Sequence, residues 1–176
     1  MRNLFISLLF VTLLSGCQDQ QQLNQELLSA AEHGDLPRLD EILKQGGNAN
    51  ARDLCAFTPL MRASMNGDVE MVRSLLAAGA GLNLADKSGY SALMQAAGNN
   101  HLQIVTLLLG HGAEINQAES DRGWTPLIWA AKRGHSKMVA LLLNRGADKS
   151  IKDTQQFDAL AWANKQGHAE VAGLLK

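Results

Sequence analysis

Histidine and cysteine are the side chains here best suited to metal or nucleophilic chemistry, and the 176-residue chain carries five of the first and two of the second. His33, His101, His135 and His168 recur at places where short helical segments turn. If each belongs to one stacked unit, neighbours stand about 10 Å apart. Ligands of one zinc ion must each lie about 2 Å from it, so such a row cannot share a metal. H-E-x-x-H, G-x-S-x-G and phosphate-cradling glycine patterns do not occur, and no carboxylate pair has a reason to converge. The reading is of a non-catalytic chain with no cofactor and no metal site.

What positions these residues is a repeat. Thr58-Pro59-Leu60, Ser91-Ala92-Leu93, Thr125-Pro126-Leu127 and Asp158-Ala159-Leu160 begin 33, 34 and 33 residues apart, and Gly67, Asn100, Gly134 and Gly167 keep the same step. A fixed period of about 33 residues marks a stacked array of helix-turn-helix units rather than a closed globule. Thr58 supplies an N-cap hydroxyl and Pro59 suits the first helical position. Gly67 stops that helix where a left-handed residue is needed. Val69, Met71, Val72, Leu75 and Leu76 form the apolar side of a second helix. A degenerate copy precedes these, with Leu27 to Glu32 as its first helix. The boundaries read as 23–54, 55–87, 88–120, 121–154 and 155–176, and the last four copies carry the aligned signatures.

The amino terminus follows other rules. Met1-Arg2-Asn3 and the apolar run Leu4 to Leu14 read as a signal peptide, since eleven residues fall short of the roughly 20 a membrane-spanning helix needs. Leu14-Ser15-Gly16-Cys17 resembles the lipobox of bacterial lipoproteins. That resemblance implies removal of residues 1–16, acylation of Cys17 and attachment to the membrane; Gln18 in the next position implies the outer membrane, facing the periplasm. Gln18 to Gln25 reads as a tether with a reach of about 25 Å, leaving an array over 26–176. Cys55 then has no intramolecular partner and reads as a small side chain in a loop.

Charge excludes one class of partner. A net charge of −1 gives no reason to expect nucleic acid. The distribution is uneven: residues 19–53 hold seven acids, whereas 132–152 hold six basic residues against Asp148 alone.

Thr125-Pro126-Leu127, Ala130-Ala131, Gly134-His135, Val139, Leu141 to Leu143 and Gly146-Ala147-Asp148 together resemble the ankyrin consensus. The resemblance implies an all-α repeat solenoid, each unit being a helix-turn-helix with a projecting β-hairpin finger or loop. The family's His after Pro-Leu is replaced by Met61, Met94, Ile128 and Ala161, and one additional residue lies near Ala118 to Arg122, so that finger should be longer or bulged. The resemblance further implies a monomeric module that binds another protein through finger tips and first helices. Phe57, Tyr90, Trp124 and Phe157 precede the Thr-Pro-Leu positions and would face that partner or pack on the neighbouring finger; Arg122, Lys132 and Arg133, with Lys165, would form a basic edge. Trp129 and Trp162 read as core. The leading expectation is a protein-binding module in the envelope, in one version an inhibitor or immunity protein, in another a scaffold for an envelope or stress-response enzyme. The alternative is a structural protein that holds lipid headgroups or lipopolysaccharide through the basic repeat.

Overall fold

Helices of seven to nine residues are too short to persist alone in water, and nine of the helices among the described residues are that short. Their stability must therefore come from caps and from packing. A computed structural model describes residues 19–176 and shows both. Thr58 and Thr125 accept hydrogen bonds from the amides of Met61 and Ile128, each at 3.3 Å, and Asp158 accepts from the amide of Ala161 at 2.8 Å.

Among the described residues there are ten helices in five hairpins. They are α1 (19–33) with α2 (Leu36–Lys44), α3 (Pro59–Asn66) with α4 (Val69–Ala77), and α5 (Ala92–Gly98) with α6 (Leu102–Gly110). The last two hairpins are α7 (Pro126–Lys132) with α8 (Ser136–Asn144) and α9 (Ala159–Gln166) with α10 (Ala169–Leu175). The first helices α3, α5, α7 and α9 pack side by side in one layer, and α2, α4, α6, α8 and α10 form the other. The 33-residue step turns into columns of buried side chains between the layers: Met71, Ile104, Met138 and Val171, and beside them Leu75, Leu108, Leu142 and Leu175. Leu60, Leu93 and Leu127 are fully covered, whereas Leu160 of the last hairpin, with no later pair upon it, is half-buried.

Turns close the hairpins as the sequence predicts, with φ of 88° at Gly67 and 63° at Asn100. Gly67 has a second reason to lack a side chain: a Cβ there would lie 2.7 Å from the imidazole of His101. That ring crosses to the preceding hairpin and donates from Nε2 to the carbonyl of Met65 at 3.1 Å. His135 and His168 repeat the contact on the carbonyls of Gly98 and Lys132. Of the four histidines whose spacing argued against a shared metal, His101, His135 and His168 are staples between adjacent hairpins, while His33 bonds the carbonyl of Ser29 within α1. Among the described residues, no group of three or more His, Cys, Asp or Glu side chains is placed to hold a metal ion.

The fingers are tight turns rather than strand pairs; the isolated bridge between Ala85 and Ser91 is the β-pairing among the described residues. Each finger closes on a main-chain bond from its acid to its aromatic residue: Asp53 to Phe57, Asp86 to Tyr90 and Asp153 to Phe157. The third finger closes from Glu119 to Trp124, one residue farther along. The inserted residue is thus accommodated by a wider turn, and by a carboxylate with one more methylene. Fingers also bond to one another, from the amides of Lys87, Ser120 and Thr154 to the carbonyls of Cys55, Ser88 and Arg122. Gly89 allows this approach, since a Cβ there would lie 2.5 Å from the Ser120 amide nitrogen.

The amino-terminal expectation needs correction. Residues 19–25 are helical, not an extended tether. Gln20 bonds to Asn24 and to the carbonyl of Gly46, Gln22 bonds to Glu26, and the Asn24 side chain accepts from the amide of Asn48. Leu23 packs against the core. Gln, Glu and Leu are good helix formers, and docking on the turn after α2 decides the matter. Cys17 and Gln18 lie outside the described residues. Among the described residues no helix is long and apolar enough to cross a membrane.

Candidate partner-binding face

The finger acids and the fourth residue of each first helix share a register: Asp53 with Arg62, Asp86 with Gln95, Glu119 with Trp129, and Asp153 with Trp162. What the acid does with its second oxygen sets the character of the face. Asp53 uses Oδ1 for the amides of Cys55 and Phe57, and Oδ2 accepts from Arg62 at 2.8 Å. Burial by itself raises the Asp53 carboxyl, but the hydrogen bonds from Arg62 and from the two amides outweigh it and hold it below the usual carboxylate range. Arg62 also reaches Glu32 at 3.7 Å and lies over the ring of Phe57 at 4.4 Å. This cation is matched by two acids.

Asp153, only 2 % exposed, makes the same two bonds to backbone through Oδ1, from Gln155 and Phe157. Its Oδ2 accepts from two indoles, Trp124 at 2.9 Å and Trp162 at 2.8 Å. Burial again raises the carboxyl, and the Phe157 amide, the two indoles and the Gln155 amide overcome it, so the group stays ionised below its ordinary value. All of these donors are neutral, and the carboxylate forms no ion pair among the described residues.

Glu119 behaves in a third way. Both oxygens are taken by its own finger, from the amides of Asp121, Arg122 and Trp124. The wider turn thus draws the carboxylate away from α7, and the buried Nε1 of Trp129 has no hydrogen-bond partner.

The aromatic residues expected to form one rung per repeat are arranged differently. Ring contacts run from Tyr90 to Trp129 (5.9 Å), to Trp124 (4.9 Å), to Trp162 (5.5 Å) and to Phe157 (5.5 Å), most of them edge to face. Phe57 stands apart under Arg62. Trp124 is 5 % exposed, so of the two roles the sequence left open to it, packing rather than facing a partner fits its burial. Trp162 is buried as expected, while Trp129 is half-buried and shows part of its ring. Phe57, Tyr90 and Phe157 are half-buried as well.

The basic edge is present and sits on these rings. Arg122 from the third finger and Lys132 from α7 lie 4.6 and 5.1 Å from the Trp124 centroid. Arg133 lies over Trp129 at 4.9 Å and donates to the carbonyl of Gly98, and Lys165 lies 4.7 Å from both Phe157 and Trp162. Ion pairs among the described residues involve Arg38, Arg62 and Arg73; none involves these four cations. At the opposite end, Leu54 of the first finger is 91 % exposed and borders a surface groove of about 480 Å³ against α1. The sequence reading passed over Leu54, although an apolar residue at a finger tip was the signal for it.

Two layers of short helices, a finger between successive hairpins and a 33-residue step define a stacked-repeat binding scaffold. The family model described as Ankyrin repeats (3 copies) matches residues 27–119 and 117–176, and the chain belongs to the ankyrin-repeat family. No curated protein matches it. Ankyrin-repeat proteins are typically non-catalytic interaction modules, and the family points to protein–protein interaction for this chain.

Proposed function

We propose that this chain is a monomeric, lipid-anchored protein-binding module of the bacterial envelope, held at the outer membrane through Cys17 and facing the periplasm. Its five helix hairpins are five ankyrin repeats, and a partner protein docks where the fingers meet the first helices. The observation that carries this reading is the row of half-buried rings at Tyr90, Trp129 and Phe157, flanked by cations that have no ion-pair partner among the described residues. Large rigid side chains of this kind concentrate binding energy once a partner excludes water from them. The lipobox residues Leu14 to Cys17 support the anchor, and two or more acyl chains hold a protein stably where one does not. Anchoring raises the effective concentration for partners in the same envelope, which suits an inhibitor or immunity protein as well as a scaffold for an envelope or stress-response enzyme.

The test is affinity capture from envelope extract with the full acylated chain and with Tyr90→Ala/Phe157→Ala, both checked for folding by thermal melting. The variant should lose captured proteins that the native chain retains. Equal recovery by both would show the ring face to be structural, and a free, unacylated Cys17 in the mass of the mature chain would remove the anchor.

A further inference from the structure

We infer that the partner segment docking over α7 and α9 is carboxylate-rich: an acidic stretch of polypeptide that lies along Arg122, Lys132, Arg133 and Lys165. This rests on the reading that a protein docks on the finger and first-helix face. Three observations carry it.

The first is unspent charge. Four cations gather within two repeats, and none has a carboxylate oxygen within ion-pair distance among the described residues. The acids of these fingers hydrogen-bond to neutral donors and form no ion pair with the four among the described residues. Asp153 is bound by two indoles and two amides, Glu119 by three amides of its finger, and Asp158 by the Ala161 amide. Asp121 is exposed next to Arg122 in the chain and forms no ion pair with it among the described residues.

The second is preorganisation. Each of the four lies 4.6 to 5.2 Å from a ring centroid. A cation held on a ring keeps donors free at its edge while losing less side-chain freedom on binding. Guanidinium groups in that position suit bidentate carboxylate recognition.

The third is shape. Arg122 reaches Trp124 from the finger, and Lys132 reaches the same ring from the helix. The charges therefore converge on one ring from two elements, at the corner where the third finger meets α7.

The probe is a fluorescein-labelled peptide of alternating glutamate and glycine, about twelve residues long, read by anisotropy against the full chain in nonionic micelles. Peptides with lysine or glutamine for glutamate serve as controls. The glutamate peptide should bind, with at least a tenfold loss between ~0.05 and ~0.3 M salt. It should also lose about tenfold or more in the triple variant Lys132→Glu/Arg133→Glu/Lys165→Glu, and retain its affinity in Arg73→Glu on α4. A neutralising set, Lys132→Gln/Arg133→Gln/Lys165→Gln, should give a smaller loss in the same direction and guards against misfolding of the reversed set. No binding of the glutamate peptide, or equal binding by the charge variants, overturns the inference. So does charge-dependent binding of phosphatidylglycerol vesicles with none of the peptide, which would make the patch a lipid site. The two readings fail separately. An envelope partner captured equally by native chain and triple variant sinks the acidic segment and leaves the docking face standing, whereas no partner captured by the native chain removes the docking face itself.

Discussion

The second and fifth hairpins place the same chemical group at the same point and obtain opposite surfaces from it. In the second, Asp53 of the finger before it binds Arg62, and a cation on the binding face is neutralised by acids of the preceding repeat. In the fifth, the register position of Arg62 is Trp162, so Asp153 binds indole N–H groups instead and leaves Lys165 and Lys132 unmatched. Charge on this face is decided by which donor occupies one helical position, more than by how many basic residues a repeat contains. The fourth hairpin lies between the two: its carboxylate turns inward on a lengthened finger and its tryptophan goes without an acceptor.

The largest way to break the comparison is Asp153→Ala. It strands two indole and two amide donors in a closed site and should cost about 3–5 kcal/mol, seen as a fall in the urea midpoint. The carboxyl is held below its ordinary value in the fold, so its contribution is complete above pH ~4 and is lost as pH falls through the lower folded value. The native chain should therefore lose stability below pH ~4 faster than the Asp153→Ala variant does. Parallel acid profiles for the two would show that this carboxylate is not the coupled group.

Trp162→Phe removes one of the two indole donors and keeps most of the ring, for about 1.5–3 kcal/mol by the same melt. Asp53→Ala should cost less, about 1–2 kcal/mol, because Arg62 and the finger amides can turn to water. The smallest effect is expected for Trp129→Phe, under ~1 kcal/mol, since the N–H it removes has no partner to lose. The two tryptophans occupy one register position, so a clear gap between their phenylalanine variants sharpens the account; equal costs would mean that ring packing, not the carboxylate, governs both.

Much of this was legible from residue order. Caps, turns and buried columns follow from contacts within a single repeat or between neighbours of identical register, and a period exposes those directly. The burial of Trp124 does not follow, because its acceptor Asp153 lies 29 residues away on the next finger, at a position where any polar residue could close the turn. The freedom of the four cations was equally hidden. Sequence shows their number, whereas their partners depend on where each finger carboxylate points. Residues 19–25 were misread for a different reason: a glutamine-rich stretch resembles a linker by composition, and its helix is fixed by Gly46 and Asn48 on the turn after α2.

That docked helix has a mechanical consequence. Seven residues that would reach about 25 Å as slack chain span only ~10 Å as helix, and they are bolted to the array. If Cys17 carries the acyl anchor proposed above, that shortening draws the first repeat in toward the anchor. The basic corner lies three to four repeats farther along the stack, some 30–40 Å at roughly 10 Å per repeat. The length of the stack, more than the segment before it, would then set how far from the anchor an acidic partner segment can be met.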